Sequence, residues 1–89
     1  MQGVENIKSA LKNITSSSGV YRMIDPNNRI LYIGKAKDLK KRVYSYTLIK
    51  KLTNRLRRMV AQVENMRLKD VPRLALRREM KWNIKAKLL

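Results

Sequence analysis

Two short runs, Val20-Tyr21-Arg22-Met23-Ile24 and Ile30-Leu31-Tyr32-Ile33, stand on either side of Asp25-Pro26-Asn27-Asn28. Both runs are rich in β-branched and aromatic residues and read as strands. Between them, proline suits the second position of a tight turn and asparagine tolerates left-handed backbone. The pattern predicts an antiparallel hairpin whose second arm ends at Gly34. Alternate side chains of a strand share a face, so Tyr21 and Tyr32, one on each arm, can meet across the two strands.

Helical spacing brackets this hairpin. Val4, Ile7, Leu11 and Ile14 predict an amphipathic helix over residues 4–14. Asp38 suits the N-cap of a helix from Leu39 to about Tyr46, with Leu39 and Val43 inward and Lys40 and Lys41 pointing away. Thr47 is placed to cap a longer helix carrying the stripe Ile49, Leu52, Leu56, Met59, Val60 and Val63. Met66 and Leu68 alternate, but Pro72 interrupts them. Leu76, Met80, Ile84 and Leu88 step by four and predict a final helix, with Trp82 filling its core side.

At 89 residues the chain has room for one domain, residues 1–89. It has neither cysteine nor histidine, which excludes disulfides, thiolate or imidazole metal sites and any Ser-His or Cys-His nucleophile pair. No stretch approaches the roughly 18 apolar residues of a membrane span, and the opening segment lacks the features of a signal peptide. A cytoplasmic protein without a membrane partner is expected. Lys and Arg number 22 against 6 Asp and Glu, a net charge of +16. From Lys35 onward there are 18 basic and 4 acidic residues, so nearly all the surplus follows the hairpin. That asymmetry points to a polyanionic partner, a nucleic acid first, with a solvated basic surface or a membrane-surface patch as the other readings.

The chemistry concentrates where hairpin and charge meet. Gly34 would let backbone or substrate approach closely. Lys35, Lys37, Lys40, Lys41 and Arg42 follow within eight residues. Arg42 lies one helical turn beyond Asp38, so its guanidinium can reach back toward the hairpin. Two phenol hydroxyls and a guanidinium around one small cleft suit a phosphodiester, since arginine grips phosphate oxygens in bidentate fashion.

The segments "GVY" at 19–21, "YIG" at 32–34 and "GKAKDLKKR" at 34–42 resemble the GIY-YIG nuclease domain, in the branch of UvrC N-terminal domains. The resemblance covers about residues 5–65. It implies an α+β fold, a small antiparallel three-stranded sheet flanked by helices. It implies a DNA endonuclease of nucleotide excision repair that incises phosphodiesters with one Mg²⁺ or Mn²⁺ ion. Tyr21 matches the tyrosine of the first motif half and Tyr32 that of the second; in the family one of them takes or relays the proton of the attacking water. Arg42 matches the arginine that holds the scissile phosphate. Gly34 and Lys35 match the turn after the second strand, and Tyr46 an aromatic near the site. A phenol ionises near pH 10, so Arg42, Lys35 and a metal ion are expected to favour the phenolate.

Residues 66–89 depart from the family pattern. Where the branch has a segment like T-E-x-E-A-L-x-L-E running into K-x-x-P-x-Y-N, this chain has "MRLKDVPRLALRREMKWNIKAKLL". Glu79 stands about where the family's metal-binding glutamate is expected, counted from Arg42; the other reading of a single glutamate between Arg78 and Lys81 is a surface ion-pair partner. The alternative is a non-catalytic DNA-binding remnant of a truncated or frame-shifted UvrC, in which the usual UvrB-contacting region is absent and a UvrB-like repair partner would have to be met otherwise. A third reading is a remnant with no stable fold.

Overall fold

The turn at Asp25 organises the first two strands. One carboxylate oxygen of Asp25 accepts hydrogen bonds from the backbone N–H of Asn27 at 2.9 Å and of Arg29 at 2.8 Å. The backbone N–H of Asp25 donates to the Arg29 carbonyl at 2.9 Å, and Asn28 takes the left-handed conformation with φ 64°. The Arg29 N–H, the Asn27 N–H and the Arg29 guanidinium hold the Asp25 carboxyl below the usual carboxylate range. Strands β1 (Gly19–Ile24) and β2 (Ile30–Ala36) extend from this turn, with a bulge between Met23 and Ile24. Gly34 does not end the second strand: β2 runs on through Lys35 to Ala36, because both continue the ladder with Val20 and Gly19.

The computed structural model describes residues 2–80, with side chains through residue 76. The third strand, β3 (Asn65–Asp70), pairs antiparallel with β1, so the sheet order is β2-β1-β3 and β1 is central. Helix α1 (Gln2–Leu11) begins and ends earlier than the stripe of apolar residues suggests, and Ile14 joins the core from the connection that follows. Helix α2 (Leu39–Ser45) starts as expected, with an Asp38 carboxylate oxygen accepting the Lys41 N–H at 3.0 Å.

The single long helix expected after Thr47 is two pieces. A 3₁₀ turn covers Ile49–Lys51, and helix α3 covers Asn54–Ala61. Thr53, not Thr47, is the cap: its hydroxyl accepts the Leu56 N–H at 3.2 Å. Thr47 instead donates its hydroxyl to the Tyr44 carbonyl at 2.7 Å, closing off the end of α2. Helix α4 (Arg73–Met80) follows β3 directly, so Pro72 introduces a helix rather than disturbing a strand. Ile84, Leu88 and Trp82 lie outside the described residues.

The apolar surface falls into two layers. One face of the sheet, with Tyr21 and Met23, packs against Ile7 of α1, Val43 of α2 and Met59 and Val60 of α3. The other face is partly covered by α4, through Val20, Val71 and Leu76. This places α2 and α4 on either side of the β2 end where Lys35 and Ala36 emerge. No helix among the described residues is long and apolar enough to cross a membrane.

Candidate nucleic-acid interface

The site begins with a direct strand pairing. Tyr21 of β1 lies opposite Gly34 of β2, and Tyr32 lies opposite Met23, two residues away. The Tyr21 ring rests over Gly34 itself. A Cβ on Gly34 would sit 2.5 Å from Tyr21 Cζ and 2.8 Å from Cε1, closer than such atoms can approach. Gly34 has ordinary backbone angles, so its lack of a side chain matters here for space alone. What approaches Gly34 is thus the tyrosine ring of its own sheet.

Three tyrosines gather there. The ring centroids of Tyr21 and Tyr32 are 5.9 Å apart at a tilt of 43°, and those of Tyr21 and Tyr46 are 6.0 Å apart at 59°. The Tyr21 and Tyr46 hydroxyls share a hydrogen bond of 2.8 Å, which ties the central strand to the C-cap residue of α2. Tyr21 is 1% exposed and Tyr46 is 6% exposed, while Tyr32 is half-buried. α2 is fixed at its start by Asp38 and by the Leu39 N–H, which donates to the Ser17 carbonyl at 2.9 Å.

This burial reverses the expected ionisation. Desolvation pushes the Tyr21 hydroxyl far above the phenol range, and Tyr46 and Tyr32 push it further; Arg42 opposes this and loses. Burial raises Tyr46 as well, again against Arg42. Both groups are therefore neutral phenols at physiological pH, not phenolates. The three phenols are linked to one another, so their hydroxyls brace the cluster and tie α2 to the central strand.

At the end of β2, between α2 and the start of α4, opens a groove of about 1000 Å³, and none of the tyrosines is among the residues that line it. Its cations are Lys35 and Lys37 from the end of β2, Lys41 and Arg42 from α2, and Arg73 from α4. Lys41 thus turns into the groove rather than away from it, whereas Lys40 is exposed and does not line it. Gly34 lies beneath Tyr21, behind the β2 end that opens into the groove. Sequence reasoning missed Arg73. In one dimension nothing distinguishes it from Arg77 or Arg78; only the turn of the chain at Val71-Pro72 brings it to the groove.

The groove holds one acid among the described side chains, Asp38, and its carboxylate already caps α2. No group of three potential metal ligands occurs among the described residues. Glu79 falls within α4, but its side chain lies outside the described residues. Among the described side chains of the groove, then, the only oxygen anion is Asp38, which is committed to the cap, and a divalent cation takes oxygen anions as ligands.

A family model of the UvrC-like GIY-YIG domain matches residues 17–82. The UvrABC system protein C of Gluconobacter oxydans is 54% identical over 67 residues, covering 75% of this chain and 10% of that protein. Its counterpart from Rhodospirillum rubrum is 49% identical over 65 residues, covering 73% and 10%. The chain spans about a tenth of the length of the curated relatives it matches. In three dimensions it is similar to the GIY-YIG N-terminal endonuclease domain of UvrC from Thermotoga maritima, solved bound to its catalytic divalent cation, magnesium. That similarity has a TM-score of 0.66 at 23% identity and covers 86% of this chain and 89% of the other. The three-stranded antiparallel sheet and its flanking helices are the fold of that domain, and the chain belongs to the UvrC-like GIY-YIG family.

Proposed function

We propose that this domain engages the phosphodiester backbone of DNA and serves its incision in bacterial excision repair, as the family relationship suggests. The observation that carries the reading is the strongly cationic groove at the end of β2, where Lys35, Lys37, Lys41, Arg42 and Arg73 converge from three elements. Arg42 grips the scissile phosphate, and Lys35, Lys37 and Lys41 hold the strand beside it. Lys40, exposed on the outer side of α2, adds long-range attraction. The hydrogen bond between the Tyr21 and Tyr46 hydroxyls ties α2, and with it Arg42, to the central strand. Tyr32 is open enough to water to relay a proton. The partners are DNA and a UvrB-like protein of a UvrABC-type assembly, in the bacterial cytoplasm. The Thermotoga domain is bound to magnesium; here Glu79, the acid expected to hold such an ion, has its side chain outside the described residues, and no step is assigned to a metal.

The cationic groove also suits a second reading, a domain that holds DNA without cutting it. Nicking of supercoiled plasmid in Mg²⁺ and in Mn²⁺ separates the two, with duplex binding followed by fluorescence anisotropy. Incision by the wild type, reduced on the order of 100-fold in Arg42→Ala with binding weakened only a few-fold, supports the first reading. Salt-sensitive binding without nicking supports the second. No binding at low salt defeats both.

A further inference from the structure

The groove has two walls, and only one belongs to the helix that carries Arg42. Arg73, the first residue of α4, stands on the other wall with Leu76, which anchors α4 to the sheet through Val20 and Val71. Arg73 is exposed and makes no hydrogen bond or ion pair among the described residues. The one carboxylate among the groove's described side chains, Asp38, accepts a backbone N–H and lies on the α2 side. An arginine with no counter-ion among the described residues, facing a groove that already holds Arg42, Lys41, Lys37 and Lys35, adds to the repulsion among cations there. An anion with several charges removes it.

We propose that Arg73 is a second phosphate-holding side chain. Arg42 and Arg73 then grip a nucleic-acid strand from opposite walls and engage different phosphates of one backbone. The inference rests on the DNA-binding reading above and adds a requirement to it: the ligand must present at least two phosphates in one strand. A volume of about 1000 Å³ is ample for a stretch of backbone and far more than a lone phosphate fills. The positioning is firm, because β3 delivers α4. The Val71 N–H donates to the Ser18 carbonyl at 3.0 Å, and the Ser18 hydroxyl donates to the Val71 carbonyl at 2.6 Å, just ahead of Pro72.

The test measures binding of a short single-stranded oligonucleotide and of a mononucleotide across a salt series. The proteins are the wild type, Arg73→Gln, Arg73→Lys and, as a remote control, Lys12→Gln, whose side chain is exposed just beyond α1. Removing one phosphate-binding cation should flatten the slope of log K against log salt by about 0.7 on a single strand. Arg73→Gln is expected to flatten the slope by that amount and weaken oligonucleotide binding several-fold, with mononucleotide binding nearly unchanged. Arg73→Lys should keep the slope, and Lys12→Gln should behave as wild type. Wild-type binding with an Arg73→Gln slope equal to that of the wild type overturns the role of Arg73 and leaves the DNA-binding reading intact. Equal losses in Arg73→Gln and Lys12→Gln overturn it too, since both would then report only net charge. Wild type that binds neither ligand at low salt overturns the reading and the inference together.

Discussion

Replacing Gly34 by alanine is the sharpest test of how the site is built. A glycine in a strand interior is ordinarily a weakness, and alanine at such a position is favoured by roughly 0.5–1 kcal/mol through reduced freedom of the unfolded chain. Here the added methyl would lie 2.5 Å from Tyr21 Cζ. The ring cannot swing away cheaply: it is buried among core side chains, and its hydroxyl is bonded to Tyr46 at 2.8 Å. Overpacking of this kind costs about 1–3 kcal/mol, and loss of the hydroxyl bond adds about 1 kcal/mol. The clash therefore outweighs the chain-entropy gain, for a net loss of about 1–3 kcal/mol. In a domain of this size that lowers the melting midpoint by roughly 5–20 °C. Thermal unfolding followed by circular dichroism measures the shift. The control is Gly34→Ala made in a Tyr21→Val background, where the shorter side chain leaves room. There the substitution should cost nothing or stabilise slightly. Equal cost in both backgrounds, or a neutral Gly34→Ala in the wild type, would refute the packing argument.

Alkaline titration tests the buried phenols. Tyr21 and Tyr46 have folded-state values raised above the unfolded value near 10. Their stabilising contribution is complete below pH 10 and is lost as pH rises beyond it, because only the unfolded chain releases those protons. Near-ultraviolet absorbance should show that at least two of the four tyrosines titrate only as the protein unfolds; four phenols ionising near pH 10 in a folded protein would contradict this. A second expectation concerns the outer face of the sheet, where Arg22 pairs directly with Arg67. Arg67 donates to the Asn28 side chain at 3.3 Å, while Arg22 has no ion-pair partner among the described residues. Like charges opposite one another destabilise a sheet, so Arg22→Thr should stabilise by roughly 0.2–1 kcal/mol, more at low salt than at high. A lower melting midpoint would mean that the packed stem of Arg22 matters more than its charge.

The parts legible in the sequence are those with strong local signals. The hairpin announced itself through Asp25-Pro26-Asn27-Asn28, and α2 through the Asp38 cap over Leu39 and Val43. The third strand was harder to see because it lies at a sheet edge. Met66 is buried while Leu68 is 36% exposed, so the alternation that marks a half-buried strand is blurred. The division between the 3₁₀ turn and α3 was hidden by apolar residues whose spacing carries on across the break. Thr47 and Thr53 both look like caps, and only the hydrogen bonds tell them apart. At the site, the meeting of Tyr21 with Gly34 follows from strand register, but the protonation of Tyr21 does not. Burial decides that, and burial comes from α1, α2 and α3 closing over the ring. Arg73 was invisible for a similar reason: its place depends on where β3 leaves the sheet.

The central position of β1 has a consequence for the order in which the molecule assembles. Its pairing with β2 closes a tight local turn, whereas its pairing with β3 joins Ile24 to Asn65 and Gly19 to Asp70, across the whole of α2 and α3. Closing that long loop costs entropy before any ladder bond repays it. The hairpin and α2, with the tyrosines, can gather early, but α4 can take its place only after β3 has docked. The wall that carries Arg73 is thus the last part of the groove to arrive and the first to leave. Hydrogen exchange should find β3 and α4 opening at lower free energy than β1 and β2. A nascent or partly opened chain would carry the tyrosine cluster and Arg42 in place while half of its grip on a strand was still missing.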